Sequence, residues 1–413
     1  MALCAFVAPY LLPATLRFLV AATEVAGVDL AVVTTEPAEN IPPEIRARLA
    51  GHWRIANGLD PGQIAGALTG LSARLGPVRR VFAPLEQLQV PLGEVREALG
   101  IEGMDAATAE RFRDKDLMKR VFGQHGVPCA AHTLARSAAE AAAFAARIGF
   151  PLVVKPPAGA GARSTFRLDG QEALELWLES APPTPDNPAV MEQFLRGSEG
   201  SFDAVAVDGE IVWYSISAYR PSPLDVLRNP WIQWTVLLPR HIGGAEYDGI
   251  AQAGPAALRA LGLRTGMAHL EWFRLADGSV AISEAGCRPP GAQITTMIGY
   301  AHDTDIYRVW ARLMTTGEFD FLERSWSVGA AYLRGQGTGT ITGVHGLDRL
   351  QQRLGHLVVQ AQLPTIGAAT SDVYEGDGHV IVRAAETETV SAALRELISG
   401  IKIDIGPAGG FRS

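Results

Sequence analysis

Short apolar runs alternate with longer amphipathic stretches over the first hundred residues. Leu3–Ala8 and Asp29–Thr34 read as buried strands, and helical apolar spacing over 14–26 places a helix between them. Pro61–Leu75 predicts a helix with proline in its first turn, Val78–Ala83 a strand, and Pro91–Leu99 a helix. Strand, helix, strand is the opening of a doubly wound α/β unit, here ending near Asp105. No G-x-G-x-x-G follows the first strand, so a dinucleotide site is not expected there.

The pattern then changes. Arg111–His125 predicts a charged amphipathic helix stopped by Gly126 and Pro128, with Lys115 and Lys119 by default on a solvated face. Ser137–Gly149 predicts a helix with Ser137 and Glu140 in capping-box spacing. A buried strand, Leu152–Val154, ends in Lys155 and opens into a loop with Gly159, Gly161 and Ser164. Glycines let backbone N–H groups approach phosphate oxygens, and a lysine at the strand end adds positive charge. The lysine precedes the loop, so this is not the Walker arrangement, and an ordinary glycine-rich hairpin loop is the alternative.

Further along, Val190–Leu195 reads as a strand, and 201–207 with 211–217 as a hairpin around Asp208-Gly209. Ala218–Arg240, with Pro221, Pro223, Pro230, Trp231 and Trp234, reads as a long irregular loop. Tyr247–Leu263 predicts a helix strained at Pro255. After Pro289 a helical run extends to about Met314. Strands near Val328–Leu333 and His379–Val382, with a helix over Val390–Ser399, form a last α+β unit.

Gly266–Gly291 carries the most chemistry. Asp277-Gly278 predicts a two-residue hairpin turn, a register that sets Glu271 opposite Glu284 and His269 opposite Gly286. Like charges at that spacing destabilise a sheet. The pair calls for a cation such as Mg²⁺ between the carboxylates, with Arg288 four residues further on. Two solvated carboxylates are the alternative of equal weight.

The length of 413 residues allows two or three domains. A net charge of −8 argues against nucleic acid or an anionic membrane as partner. Cys4, Cys129 and Cys287 are odd in number and far apart, which suits a reducing compartment and gives neither a disulfide framework nor a zinc spacing. The apolar N-terminus lacks a basic leader and is interrupted by Pro9 and Pro13. It reads as a buried strand of a cytoplasmic protein.

Taken in order, the motifs resemble the ATP-grasp superfamily of carboxylate–amine ligases over roughly Ala107–Ile298. RDK at Arg113–Lys115 looks like the first nucleotide lysine. VVKPPAGAGARS at Val153–Ser164 looks like the second lysine, Lys155, with the phosphate loop of Gly159, Gly161 and Ser164. MEQFLRGSEGSFD at Met191–Asp203 is similar to the adenine hinge. That match implies adenine contacts from Glu192, Gln193, Phe194 and Leu195, and a ribose contact from Glu199. HLE at His269–Glu271 and EAGCRPPG at Glu284–Gly291 look like the metal hairpin, implying Glu271 and Glu284 as ligands and Arg288 as the catalytic guanidinium.

The usual metal Asn is replaced by Gly286, and this small-residue form resembles the bacterial L-amino-acid ligases. The implied fold is α/β and α+β: an N-terminal doubly wound domain (1–106), a central ATP-grasp core (107–322) with a lid lobe (128–189), and a C-terminal α+β lobe (323–413). The implied activity is amide-bond formation through an acyl phosphate, with ATP and Mg²⁺ or Mn²⁺ as cofactors. Its partners would be a small-molecule carboxylate and an amine, and the family admits a homodimer. A bicarbonate- or purine-type ATP-grasp enzyme, or a nucleotide-binding module without ligase activity, are the alternatives.

Overall fold

The computed structural model describes residues 2–159, 165–229, 232–321 and 323–407. The N-terminal sheet is parallel throughout, with strands in the order Gly51–Arg54, Val28–Thr34, Ala2–Ala8, Val78–Phe82. Ala2–Ala8 lies inside it, covered on both faces, which is why its sequence is a continuous apolar run. Helices Pro13–Thr23, Pro61–Leu75 and Gln89–Leu99 occupy the expected stretches. Phe6, Phe18 and Phe82 stand edge-on around Trp310 of the helix Ile306–Thr316, at centroid distances of 6.4, 4.8 and 5.6 Å. That aromatic cluster fixes the first sheet against the segment that follows Arg288.

An antiparallel sheet in the order His132–Ala135, Ala189–Gln193, Leu152–Lys155, Phe166–Leu168 comes next. A second antiparallel sheet runs Glu210–Ile216, Gly197–Val207, Gly266–Leu275, Val280–Gly286. Asp208 and Gly209, at φ 52° and 91°, make the turn of the first of its hairpins, the primed geometry that the dipeptide favours.

The second hairpin differs from the expected form. Leu275 N–H donates to the Ser279 carbonyl, leaving a three-residue loop with Gly278 at φ 85°. A bulge then falls between Glu271 and Trp272, because Trp272 pairs with Ile282 whereas Glu271 pairs with Glu284. The two one-residue displacements cancel. Glu271 therefore faces Glu284 and His269 faces Gly286, as the two-residue turn would have placed them.

A third antiparallel sheet corrects the reading of 218–240 as an irregular loop. Ala218–Arg220 and Thr235–Leu238 join Ser327–Leu333, Gly378–Ala384 and Val358–Gln362 in one five-stranded sheet. Tyr219 and Trp234 are buried there, and Pro221 and Pro223 fall in a connection holding a short helix, Pro223–Arg228, while Pro230 lies outside the described residues. Trp231 lies outside the described residues. Two further helices also differ from expectation. The run after Pro289 is broken into Ile294–Ala301 and Ile306–Thr316, where Asp305 caps the second helix through the Tyr307 and Arg308 N–H groups. The helix expected over 111–125 begins only at Lys115, capped by Asp114, whose Oδ1 accepts from Leu117 N–H at 2.8 Å. Among the described residues no helix is long and apolar enough to cross a membrane.

Candidate active site

Alternation along three adjacent strands places one set of side chains on a single face of the sheet. Asp203, His269 and Gly286 form one cross-strand row, and Ser201, Glu271 and Glu284 the next; Glu199 lies opposite Phe273. This face forms the floor of a cavity of about 810 Å³. Lys155 and Glu192 of the neighbouring sheet, the helix Lys115–Gln124, and Glu86 from the N-terminal unit close it in.

The Asp114 cap sets Lys115 in the first helical turn and Lys119 one turn later on the same side. Lys115 Nζ donates to the Gly159 carbonyl at 2.8 Å and lies 3.4 Å from Glu284 Oε2. Lys155 Nζ lies 3.8 Å from the same oxygen and 2.9 Å from Glu192 Oε1. The two lysines singled out for nucleotide phosphates thus converge on one of the two proposed metal carboxylates.

Lys119 overturns its default reading as a solvated residue, being only 1% exposed. Its Nζ donates to the Ser283 carbonyl at 2.8 Å and sits 3.4 Å from Glu192 Oε1. Ser283 is the extra residue of the bulge, so the break in the strand pairing is also where Lys119 finds its acceptor.

Electrostatics follow from this crowding. Burial pushes the Glu284 carboxyl up, but the cationic Lys115 and Lys155 outweigh it and bring the group down to about 2. Burial opposes the charge on Lys155 as well, yet Glu192 and Glu284 raise it above the ordinary lysine range. Lys119 is held below that range, because burial outweighs the attraction of Glu192. Glu199 is pushed well above the usual carboxylate range, by burial first and then by Glu271 and Glu284.

Gln193, Phe194 and Leu195 continue from Glu192 along the cavity wall, and the Arg167 guanidinium lies 4.3 Å from the Phe194 ring centroid. Gly159 also lines the cavity, while Gly161 and Ser164 lie outside the described residues. Arg288 is held by Glu86, with Nε 3.2 Å from Oε2, and Arg113 holds the other oxygen of that carboxylate at 2.6 Å. Burial disfavours the Arg288 charge, and Glu86 more than restores it. Cys287 is buried, its thiol pushed up to about 12 by that burial, so it supplies no thiolate.

His269 is more than a packing residue. Its Nδ1 lies 2.6 Å from Asp203 Oδ1, and its Nε2 lies 3.7 Å from Glu271 Oε1. Asp203 Oδ2 accepts from the Ser201 hydroxyl at 2.7 Å. Burial works against the imidazolium, but Asp203 wins and raises the group to about 9. A folded-state value above the unfolded one stabilises fully below pH 6.5, and that stabilisation disappears as pH rises through about 9. Urea midpoints of the wild type should therefore fall over that window relative to His269→Gln. The expected difference is on the order of 3 kcal/mol, and parallel pH profiles would refute the charged imidazole.

Among the described residues no group of three His, Cys, Asp or Glu side chains is spaced to hold a metal ion. Two carboxylates completed by phosphate and water oxygens are nevertheless the usual donor set for Mg²⁺, and the register-paired Glu271 and Glu284 supply it. A Cβ at Gly286 would meet no atom nearer than 3.7 Å, so crowding does not dictate the glycine.

Glu86 and Lys119 are two residues of this centre that sequence reasoning missed. Glu86 stands in a short helical turn outside every motif and carries no local signal. Lys119 repeats Lys115 after one helical turn, and that repeat was the available clue.

No family model matches the chain. An uncharacterized protein of Sinorhizobium fredii, y4rH, is 26% identical over 361 residues, spanning 83% of this chain and 72% of that protein. An L-arginine-specific L-amino acid ligase of Bacillus subtilis is 27% identical over 230 residues, covering 54% of this chain and 55% of that protein, so the match spans about half of each. Among solved structures, the L-amino acid ligase from Bacillus licheniformis superposes with a TM-score of 0.78 at 19% identity, covering 98% of this chain and 99% of the other. That last likeness, taken alone, shows the fold. The architecture is that of the ATP-grasp fold, and in sequence and motif order the chain is similar to carboxylate–amine ligases of that superfamily.

Proposed function

We propose that the protein is an ATP-dependent ligase joining an amino acid or similar carboxylate to an amine, through an acyl phosphate, with release of ADP and phosphate. The observation that carries this reading is the meeting of Lys115 and Lys155 at Glu284, with Glu271 across the hairpin and Arg288 on the wall of the same cavity. Phosphoryl transfer asks a protein mainly for positioning and charge neutralisation, and needs no enzyme nucleophile.

In this reading the two lysines exchange Glu284 for phosphate oxygens when ATP enters. Glu271 and Glu284 would hold Mg²⁺, or Mn²⁺ in its place. Bound there, the ion supplies neutralisation of phosphate charge. The strand end at Glu192–Leu195 supports the adenine edge, and Glu199 accepts from the ribose. Arg288, already oriented by Glu86, binds the substrate carboxylate and then the oxyanion formed when the amine attacks the acyl carbon. Its partners are then small molecules. The described structure holds all three cysteines free, which suits the reducing cytoplasm where ATP is supplied.

Release of ADP and phosphate, measured with amino acids offered singly and in pairs, tests the reading. The expected result is release that requires a pair. Dependence on bicarbonate would favour carboxylase-type chemistry instead, and AMP with pyrophosphate would remove the acyl phosphate. Tight Mg·ATP binding with no turnover on any pair would leave a binding module.

A further inference from the structure

One wall of the cavity is a turn that belongs to none of the nucleotide-type motifs. Gly376 N–H donates to the Val373 carbonyl at 3.0 Å, with Gly376 at φ 66°, so Tyr374 and Glu375 occupy the middle of a tight turn. The turn is pinned at both ends. The Arg334 guanidinium donates to the Val373 carbonyl. Asp377 N–H donates to the Leu333 carbonyl at 2.8 Å, and Asp377 Oδ1 accepts from Ser371 N–H at 2.6 Å. Tyr374 and Glu375 both line the cavity from this fixed position.

The surroundings are aromatic. The Tyr374 ring stands edge-on to Trp234 at 4.9 Å and 85°, and Tyr219 meets the same indole at 5.2 Å and 72°. Trp234 is backed in turn by Tyr332, stacked at 4.7 Å. Tyr219, Trp234 and Tyr374 all reach the cavity.

Glu375 differs from two of the other carboxylates lining the cavity. Glu86 has Arg113 and Arg288, and Glu284 has Lys115 and Lys155. Burial alone acts on Glu375, raising its carboxyl, and among the described residues no cation offsets it. A partly buried acid without a partner costs free energy until something satisfies it, and aromatic faces attract cations. A donor from the ligand meets both conditions.

We propose that Tyr374 and Glu375, with Trp234 and Tyr219 behind them, form a subsite for an organic cation, an ammonium or guanidinium group carried by the amino-acid substrate. The assignment rests on the ligase reading and narrows it to a substrate class. The cation has two sources, the α-ammonium of any amino acid or the side chain of a basic one, and one carboxylate could bind either.

L-Arginine and its uncharged isostere L-citrulline separate them. Calorimetric titration of each into wild type and Glu375→Gln, with Mg²⁺ and a non-hydrolysable ATP analogue present, reads the subsite without turnover. Arginine should bind Glu375→Gln on the order of tenfold more weakly, as for a lost charge-assisted hydrogen bond, while affinity for the nucleotide analogue stays at the wild-type value and reports an intact fold. Citrulline binding unaffected by the substitution assigns the subsite to the side chain, and an equal loss for citrulline assigns it to the α-ammonium. Arginine and citrulline affinities that both ignore the substitution overturn the proposal, as does a wild type that binds neither. Failure of the ligase reading is seen separately, as arginine binding with no ADP released on any amino-acid pair.

Discussion

Arg288→Ala is expected to lower kcat by about 10²–10³, the usual cost of deleting one oxyanion donor, with Mg·ATP affinity nearly unchanged. The separation follows from where the guanidinium is tethered. Its Nε pairs with Glu86, whereas the phosphate-type lysines are tethered to Glu284, Glu192 and Gly159. Loss of the arginine does not orphan Glu86, because Arg113 still holds its other oxygen at 2.6 Å. The substitution should therefore spare the fold and the nucleotide and remove only what Arg288 does to the acyl group. Arg288→Lys should recover little, since an ammonium cannot donate from two fixed directions at once. Steady-state ADP release with titrated nucleotide checks both halves, and a near-normal rate in Arg288→Ala would remove Arg288 from the chemistry.

Sequence reasoning succeeded where a local rule decided the structure. Leu3–Ala8 is a strand because nothing but a buried strand suits that apolar run, and Pro61–Leu75 has both its cap and its stop within the chain. The pairing of Glu271 with Glu284 came out correctly although the loop was taken one residue short, because the bulge at Ser283 restores the register. Spacing rules cannot foresee a bulge whose extra carbonyl accepts from a lysine on another element. Lys119 failed for the same cause: periodicity counts lysine as a polar residue, and its burial is set by Glu192 and Ser283, both distant in the chain. In 218–240 the prolines hid a readable signal, since 234–238 is largely apolar and holds the strand Thr235–Leu238. Glu86, Tyr374 and Glu375 reach the cavity from segments outside every motif, and only the packing of the sheets brings them there.

Glu192→Gln is expected to destabilise the ligand-free protein by about 3–5 kcal/mol, the range for breaking a buried ion pair from one side. Two lysines share this carboxylate, Lys155 at 2.9 Å and Lys119 at 3.4 Å. Its Oε1 accepts no well-directed hydrogen bond, so the contact holds by charge. The pair of carboxylates Glu192 and Glu284 already faces three ammonium groups, on Lys115, Lys119 and Lys155. Neutralising Glu192 leaves Glu284 as the one carboxylate of that pair among those three cations, and Lys119, already held below the ordinary lysine range by burial, becomes the first to lose its proton. A bound triphosphate would bring negative charge to the same place. Saturating Mg·ATP should therefore raise the melting temperature of Glu192→Gln by more than it raises that of the wild type, beyond the mass-action shift common to both. Thermal unfolding of the two proteins, each with and without nucleotide, measures the difference. Equal ligand shifts would mean that Glu192 does not hold the lysines for phosphate, whereas an unchanged ligand-free melting temperature would mean that the buried lysines do not depend on it at all.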